Sequence, residues 1–333
     1  MKLKKLVPMA LLGGLLASGQ ASALNIVLTN DDGWDTANIK TMAATLRAAG
    51  HDVIMSAPCT GQSGKGGSMN FLKPVNVDSR QDGLDWCVGD TDEDKAFKDF
   101  TEGTPVMSVL HGIDVIAHQR WGSDPDLVIS GPNEGNNLGF MNNNSGTLGA
   151  AMVVLARGIP AIAVSAADGD ESKSQAVADI VMAIVAQLEA ARQPGEPLLP
   201  KFTGLNVNTP SDVHNPLGYR LTDVAWFAGG HNPAFTDDMS ASTELMQYVA
   251  MGIAEATGMT MEEAMQVAIS QYQGVPGLSF SDEVVIPDDE ENGEGRRVQE
   301  GYVAISTIDA HVQASRAKVA WTAQTLNALA ESE

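Results

Sequence analysis

The apolar positions of this chain follow two periods. Residues 24–29 form a short unbroken apolar run, the pattern of a strand buried on both faces. Beyond the turn Asp31-Asp32-Gly33, the residues Ile39, Met42, Ala43 and Leu46 recur at helical spacing, and Gly50 sits where a helix closes on a left-handed residue. Residues 53–56 return to strand character, so the first sixty residues read as a βαβ unit on a parallel sheet. Residues 126–130, 161–165 and 205–208 are further strands of this kind. Between the first two of these, the Ala- and Val-rich residues 146–157 read as a helix stopped by Gly158 and Pro160. The alternation predicts an α/β doubly wound core over roughly residues 24–210.

Residues 236–272 change character, with few glycines and many Met, Ala and Glu. Met246, Val249, Ala250 and Ile253 have helical spacing, as do Met261, Ala264, Met265 and Ala268. Thr260 and Glu263 form a capping-box pattern, so a helical pair broken at Gly258 is expected, its methionines serving as packing. The acidic run 288–294 lacks the alternating oxygen ligands of a calcium loop and reads as a solvated loop. Residues 302–306 read as a strand, and 312–329 as a terminal helix.

Residues 1–23 carry a basic start (Lys2, Lys4, Lys5), an apolar run and the small-residue pattern Ala21-Ser22-Ala23. This is a signal-peptide pattern, with a run too short to span a bilayer. The expectation is a protein exported to the periplasm or beyond, with cleavage near Ala23 and no stable membrane anchor. Losing the three lysines takes the formal charge from −22 to −25. Such a surface repels nucleic-acid phosphate and argues against a duplex partner. In an oxidising compartment Cys59 and Cys87 could pair, although sequence does not say whether they meet.

Ligands of open α/β sheets bind at the carboxyl ends of the strands. Four polar, glycine-bearing loops belong there: one holding Asp31 and Asp32, one over 57–68, one over 131–139, and one over 142–147. Side-by-side carboxylates at the end of a buried strand repel each other unless something positive compensates. Carboxylates, an amide oxygen and hydroxyls are hard donors, suited to Mg²⁺ or Mn²⁺, with Ca²⁺ compatible with the same set. Such an ion can polarise a phosphoryl oxygen and acidify a bound water. Ser145 and Thr147 would stand at a helix N-terminus, which favours phosphate. The assembled expectation is metal-assisted phosphate-ester hydrolysis. Rival motifs are missing: no G-x-S-x-G, H-E-x-x-H, Walker A or G-x-G-x-x-G occurs. Among the histidines, His311 beside Asp309 is the one of interest, because it follows a strand near the end of the sheet.

The chain resembles the SurE family of nucleotidases and acid phosphatases from bacteria, archaea and plants. The resemblance rests on Asn30-Asp31-Asp32-Gly33, Ala57-Pro58 with Ser63-Gly64, Ser130-Gly131-Pro132-Asn133, Asn137-Leu138-Gly139 and Ser145-Gly146-Thr147, in order. Gly103-Thr104-Pro105, 158–161, 205–208 and 301–303 match as well. The resemblance implies a Rossmann-like, mostly parallel sheet and a dimer or tetramer. It implies one divalent cation per subunit and a nucleoside 5′- or 3′-monophosphate substrate, in some members also polyphosphate. The metal ligands implied are Asp31, Asp32, Ser63 and Asn133. With Ser145, the residues Asp31, Asp32 and Asn133 make the candidate catalytic set. Asn30, Ser63, Gly64, Lys65, Ser145, Gly146 and Thr147 surround the expected substrate. Three departures stand out: Pro132 replaces the usual Ile, Glu134 adds a third acid beside the site, and 59–62 lacks two usual arginines, for which Lys65 could compensate. The helical stretch 236–272 replaces the family's C-terminal hairpin, an expected helical insertion. Two alternatives stay open: an exported protein that binds phosphate or nucleotide without turnover, and another hydrolase on the same scaffold.

Overall fold

The computed structural model describes residues 23–330 apart from 82, 93–94, 97, 168–171, 231, 282–283 and 287–289. All but the last residue of the expected signal segment, and part of the acidic run 288–294, lie outside the described residues. The strands are β1 (Asn25–Thr29), β2 (Asp52–Pro58), β3 (Val77–Gln81), β4 (Asp85–Val88), β5 (Leu127–Glu134), β6 (Ala161–Ala166), β7 (Thr203–Asn208), β8 (Tyr219–Thr222), β9 (Pro233–Thr236), β10 (Gly277–Phe280) and β11 (Val303–Asp309). The helices are α1 (Ala37–Ala48), α2 (Pro105–His111), α3 (His118–Trp121), α4 (Gly146–Ala156), α5 (Lys173–Ala191), α6 (Thr243–Thr257), α7 (Met261–Tyr272), α8 (Glu294–Gln299), α9 (Arg316–Thr325) and α10 (Asn327–Ala330).

One nine-stranded sheet runs in the order β3-β4-β2-β1-β5-β6-β7-β11-β8. From β4 to β7 all neighbours are parallel, whereas β3 is antiparallel to β4 and β11 to β7, and the outermost β8 is parallel to β11. Because strand side chains alternate, each face buries its own apolar set. Ile26, Leu28, Val53, Met55 and Ile129 pack under α1 and α5, whereas Val27, Ile54 and Val128 pack with Val109 of α2 and Ala151 of α4. Each fully buried Ile or Leu contributes roughly 1.5–3 kcal/mol, which is what holds the three layers together. By length and composition α5 could cross a membrane, yet Val177, Val181, Ile184 and Val185 lie in this core.

The winding sets the position of the site. From β1 the chain steps to β2 on one side, while β5 leads to β6 and β7 on the other. The strand order therefore reverses between β1 and β5, which pair Thr29 with Ser130. Loops leaving two such strands diverge and open a crevice at their carboxyl ends. β5 continues into that crevice as far as Glu134, through a bulge between Ser130 and Asn133 beside a cis Gly131–Pro132 peptide.

Farther along, α6 and α7 pair around Met246, Ala250, Ala264 and Ala268, with Gly258 left-handed at the break and the Thr260–Glu263 capping box formed. The expected single helix over 312–329 is instead α9 and α10, beginning only after Ser315. In the acidic run, Glu294 is not solvated: it opens α8 and is fully buried.

Candidate active site

Asn30, Asp31, Asp32 and Gly33 leave β1 in a tight turn. Gly33 donates its N–H to Asn30 Oδ1 (3.2 Å), and Asn30 Nδ2 donates to the Gly33 carbonyl (2.9 Å). Gly33 has φ +114°, a left-handed conformation open to glycine. Asn30 thus spends its amide on shaping the turn that carries the two acids. Trp34 N–H donates to the Pro58 carbonyl (2.9 Å) and Gln62 N–H to the Asp31 carbonyl (2.7 Å), which ties this turn to the loop after β2.

Asp31 is 3% exposed. Its Oδ1 accepts from Thr147 Oγ1 at 2.6 Å, and the backbone N–H groups of Gly146 and Thr147 also donate to it. The carboxylate therefore rests on the N-terminus of α4, where the helix dipole favours negative charge. Burial nevertheless outweighs these donors and pushes its pKa above the usual aspartate range. The packing is close: a β-carbon on Gly146 would lie 2.7 Å from Asp31 Cβ, 2.8 Å from Asp31 Oδ2 and 2.8 Å from Pro105 Cγ. Ser145 caps α4, its Oγ accepting from Leu148 N–H at 3.1 Å.

Asp32 accepts the N–H of Glu134 at Oδ2 (2.8 Å), which joins the β1 and β5 loops across the crevice. Asn133 Nδ2 donates to the carbonyls of Glu134 (2.9 Å) and Gly135 (2.7 Å). With its donor end committed to backbone, the amide turns its Oδ1 the other way, as an acceptor. Glu134 does not add a third unpaired acid. Its carboxylate accepts from Asn38 Nδ2 (3.0 Å) and from Lys173 Nζ, an ammonium on a side chain only 4% exposed.

The loop after β2 is pinned at its base by a Cys59–Cys87 disulfide, with Cα atoms 4.7 Å apart. Ser63 and Gly64 lie exposed on it. A β-carbon on Gly149 would stand 2.1 Å from the Gly66 carbonyl oxygen, so this loop lies directly on the first turns of α4. Lys65 is turned away from the compensating role expected of it, because Nζ donates to Glu102 Oε1 at 2.8 Å. His311 is also remote. β11 is antiparallel to β7, and Asp309 pairs with Thr203 at the start of that strand, so His311 follows β11 at the amino ends of the parallel strands, away from the crevice. Both residues are mostly exposed, 3.6 Å apart.

The structure thus brings together Asp31, Asp32, Asn133, Ser145, Gly146 and Thr147, with the Ser63 loop lying against α4. The donor set fits a hard divalent cation. Two carboxylates and an amide oxygen stand on the loops at one crevice, and the buried Asp31 is met by the Thr147 hydroxyl and the backbone N–H groups at the head of α4. Among the described residues, no group of three or more His, Cys, Asp and Glu side chains gathers, so neutral oxygens would have to complete the shell. Two further residues escape sequence reasoning. Lys173 is the partner of Glu134, and Glu294 accepts hydrogen bonds from Gly139, Asn142, Asn206 and Ser306. Neither carries a local signal, because the partners lie 39 and 12–155 residues away.

The family model for Survival protein SurE matches residues 26–228. An acid phosphatase of Yarrowia lipolytica is 35% identical over 209 residues, covering 57% of this chain and 57% of its own length. The 5′-nucleotidase SurE of Gloeobacter violaceus is 35% identical over 193 residues, 56% of this chain and 65% of its own. That of Synechococcus sp. (strain JA-3-3Ab) is 34% identical over 205 residues, 61% and 72% respectively. The chain therefore spans less than two thirds of the first two relatives. The crystal structure of the SurE protein from Aquifex aeolicus shares the fold, with TM-score 0.62 at 24% identity over 91% of this chain and 99% of that one. The matched span contains the Asp31–Asp32 turn, the Asn133 loop and the first turn of α4, and the chain belongs to the SurE family.

Proposed function

We propose that this protein is a divalent-cation-dependent phosphomonoesterase acting on nucleoside monophosphates. The observation that carries the reading is the convergence of Asp31, Asp32 and the Asn133 amide oxygen at the reversal of strand order, against the N-terminus of α4. The names of the relatives, acid phosphatase and 5′-nucleotidase, support the substrate class. Asp31, Asp32, Asn133 and the Ser63 hydroxyl would hold the cation, Mg²⁺ or Mn²⁺. When bound, it supplies charge to a phosphoryl oxygen and lowers the pKa of water.

The chain's own groups supply positioning. Thr147 and the α4 amides orient Asp31, Glu134 N–H orients Asp32, and the backbone carbonyls of residues 134 and 135 fix Asn133. Electrostatic stabilisation of a phosphoryl group rests mostly on such preorganisation. With Lys65 on Glu102, positive potential for the substrate falls to the cation and the helix N-terminus. We include export in this reading. The Cys59–Cys87 disulfide supports it, since such bonds persist in oxidising compartments.

The test is a panel of p-nitrophenyl phosphate, 3′- and 5′-nucleoside monophosphates and short polyphosphate, each assayed with Mg²⁺, Mn²⁺ and Ca²⁺. Hydrolysis abolished by EDTA, restored by metal and lost in Asp31→Ala is expected. Metal-dependent nucleotide binding with no phosphate released over hours would replace the reading by a binding function. Activity that persists in EDTA would remove the cation from it.

A further inference from the structure

Glu294, the first residue of α8, is 0% exposed, and its hydrogen-bond partners here are all uncharged. Its Oε1 accepts from Gly139 N–H (2.9 Å) and Asn142 Nδ2 (2.9 Å). Its Oε2 accepts from Asn206 Nδ2 (3.1 Å) and Ser306 Oγ (2.7 Å). A buried carboxylate without a cation is expensive to maintain, so its neighbours must gain from its presence or tolerate its cost. Here one carboxylate fastens the turn at residues 139–143 to β7 and β11.

The contacts continue to the site without a break. Asn206 Nδ2 also donates to the Asn137 carbonyl (3.2 Å), as does Asn208 Nδ2 (2.9 Å), and Asn208 Oδ1 accepts Asn137 N–H (2.9 Å). Asn137 Nδ2 donates to Ser165 Oγ (2.8 Å) and Thr147 Oγ1 (3.4 Å), and Thr147 Oγ1 donates to Asp31 Oδ1 (2.6 Å). The same turn leads directly into Ser145, the cap of α4.

We propose that Glu294 is a positioning residue of the Asp31 cleft, holding the 137–145 segment and, through Asn206, Asn137 and Thr147, the rotamer of Asp31. The inference rests on the cleft being the phosphomonoesterase site. Partners bonded directly to a metal ligand, as Thr147 is to Asp31, typically change metal affinity or activity by about 10–100-fold when removed, and Glu294, acting through Thr147, should fall at the lower end of that range. Glu294→Gln keeps the volume but offers one acceptor oxygen where four donors converge, so half of the array is broken.

Three readouts decide it on the full chain. With p-nitrophenyl phosphate and Mn²⁺, Glu294→Gln should lose about tenfold in kcat with KM within about threefold. Combined with Thr147→Val, it should lose no more than the larger single loss, because both cut one path. Hydrogen exchange should accelerate over residues 137–147 while β1 and the middle of α4 keep their protection. A folded Glu294→Gln protein with kcat within twofold of wild type, or a loss additive with Thr147→Val and unchanged exchange, would overturn the proposal. Should Glu294→Gln fail to fold, Ser306→Ala removes one donor only. A smaller kcat loss with the same exchange signature is then expected, and no change in either is the overturning result. If the wild-type chain hydrolyses no phosphomonoester, the functional reading fails by itself, and the exchange pattern still decides the role of Glu294.

Discussion

Gly146→Ala is the most informative single perturbation of this molecule. Alanine is favoured over glycine in a helix by up to about 1 kcal/mol, and Gly146 does not have a positive φ, so the backbone should accept the change. The site should not. Carbon atoms in contact sit about 3.5–4.0 Å apart, whereas the new β-carbon would be 2.7 Å from Asp31 Cβ and 2.8 Å from its Oδ2. Relief requires a displacement of roughly 1 Å. Asp31 is buried and tied to Thr147, and Pro105 Cγ closes the other side at 2.8 Å, so the displacement falls on Asp31 or on the α4 N-terminus. A 1 Å misplacement in a reacting constellation costs on the order of 100-fold, or about 2.7 kcal/mol of barrier. Overpacking should also lower stability by about 1–3 kcal/mol. The assay is initial-rate hydrolysis of p-nitrophenyl phosphate against Mn²⁺ concentration, with circular dichroism and thermal melting in parallel. Expected are an unchanged spectrum, a modest fall in Tm, roughly 100-fold lower kcat/KM and a higher Mn²⁺ requirement. As control, Gly252→Ala in α6 meets open space and should leave activity intact. A Gly146→Ala enzyme within threefold of wild type would refute the close seating of α4 on Asp31.

Other expectations follow from the same geometry. The Cys59–Cys87 bond closes a sequence separation of 28, worth roughly 3–4 kcal/mol by loop-closure entropy; denaturant titration of Cys59→Ser/Cys87→Ser should show that loss, and a change below about 1 kcal/mol would contradict it. The Lys173–Glu134 pair should respond asymmetrically. Lys173→Met removes a buried ammonium and should be nearly neutral, whereas Glu134→Gln strands it and should cost about 1–3 kcal/mol, discounted because Glu134 is half exposed. Equal effects in chemical denaturation would argue against the pairing. Burial pushes Glu294 up from 4.5 to about 7. Between those values the folded state binds more protons than the unfolded chain, so this group's contribution is fully present below pH 4.5 and is lost as pH rises through 7, by up to about 3 kcal/mol. Denaturation midpoints should show that slope in wild type and lack it in Glu294→Gln; identical slopes would contradict the assignment.

What could be read from sequence was decided by range. β1, α1, β2, β5, α4, β6 and β7 were legible because buried parallel strands are continuous apolar runs and their crossover helices are amphipathic. Asp31 and Asp32 stood out because adjacent acids at the end of a buried strand need compensation. The helix α5 was also there to be read, with Val177, Val181, Ile184 and Val185 on one face, but was not among the expected elements. The pairs β3–β4 and β9–β10 carry weak patterns, since β3 is mostly exposed and β4, β9 and β10 have only four residues each. Side-chain roles were less legible than positions. Thr147 was expected on phosphate and is bonded to Asp31; Lys65 and Glu134, expected to alter the site charge, are each paired. His311 lies away from the crevice because β11 runs antiparallel to β7 and ends where the parallel strands begin. Glu294 sat in an acidic run whose composition says solvent, and only the tertiary fold brings donors from the 139–143 turn, β7 and β11 to it.

The proposed divalent-cation centre consists of Asp31, Asp32 and Asn133. Calorimetric titration of Mn²⁺ into the EDTA-treated, dialysed chain tests it most directly, alongside Asp31→Asn and Asp32→Asn. One ion bound per chain in wild type and at least tenfold weaker binding in each variant are expected, with both variants still folded. Unchanged affinity and stoichiometry in the two variants would contradict it.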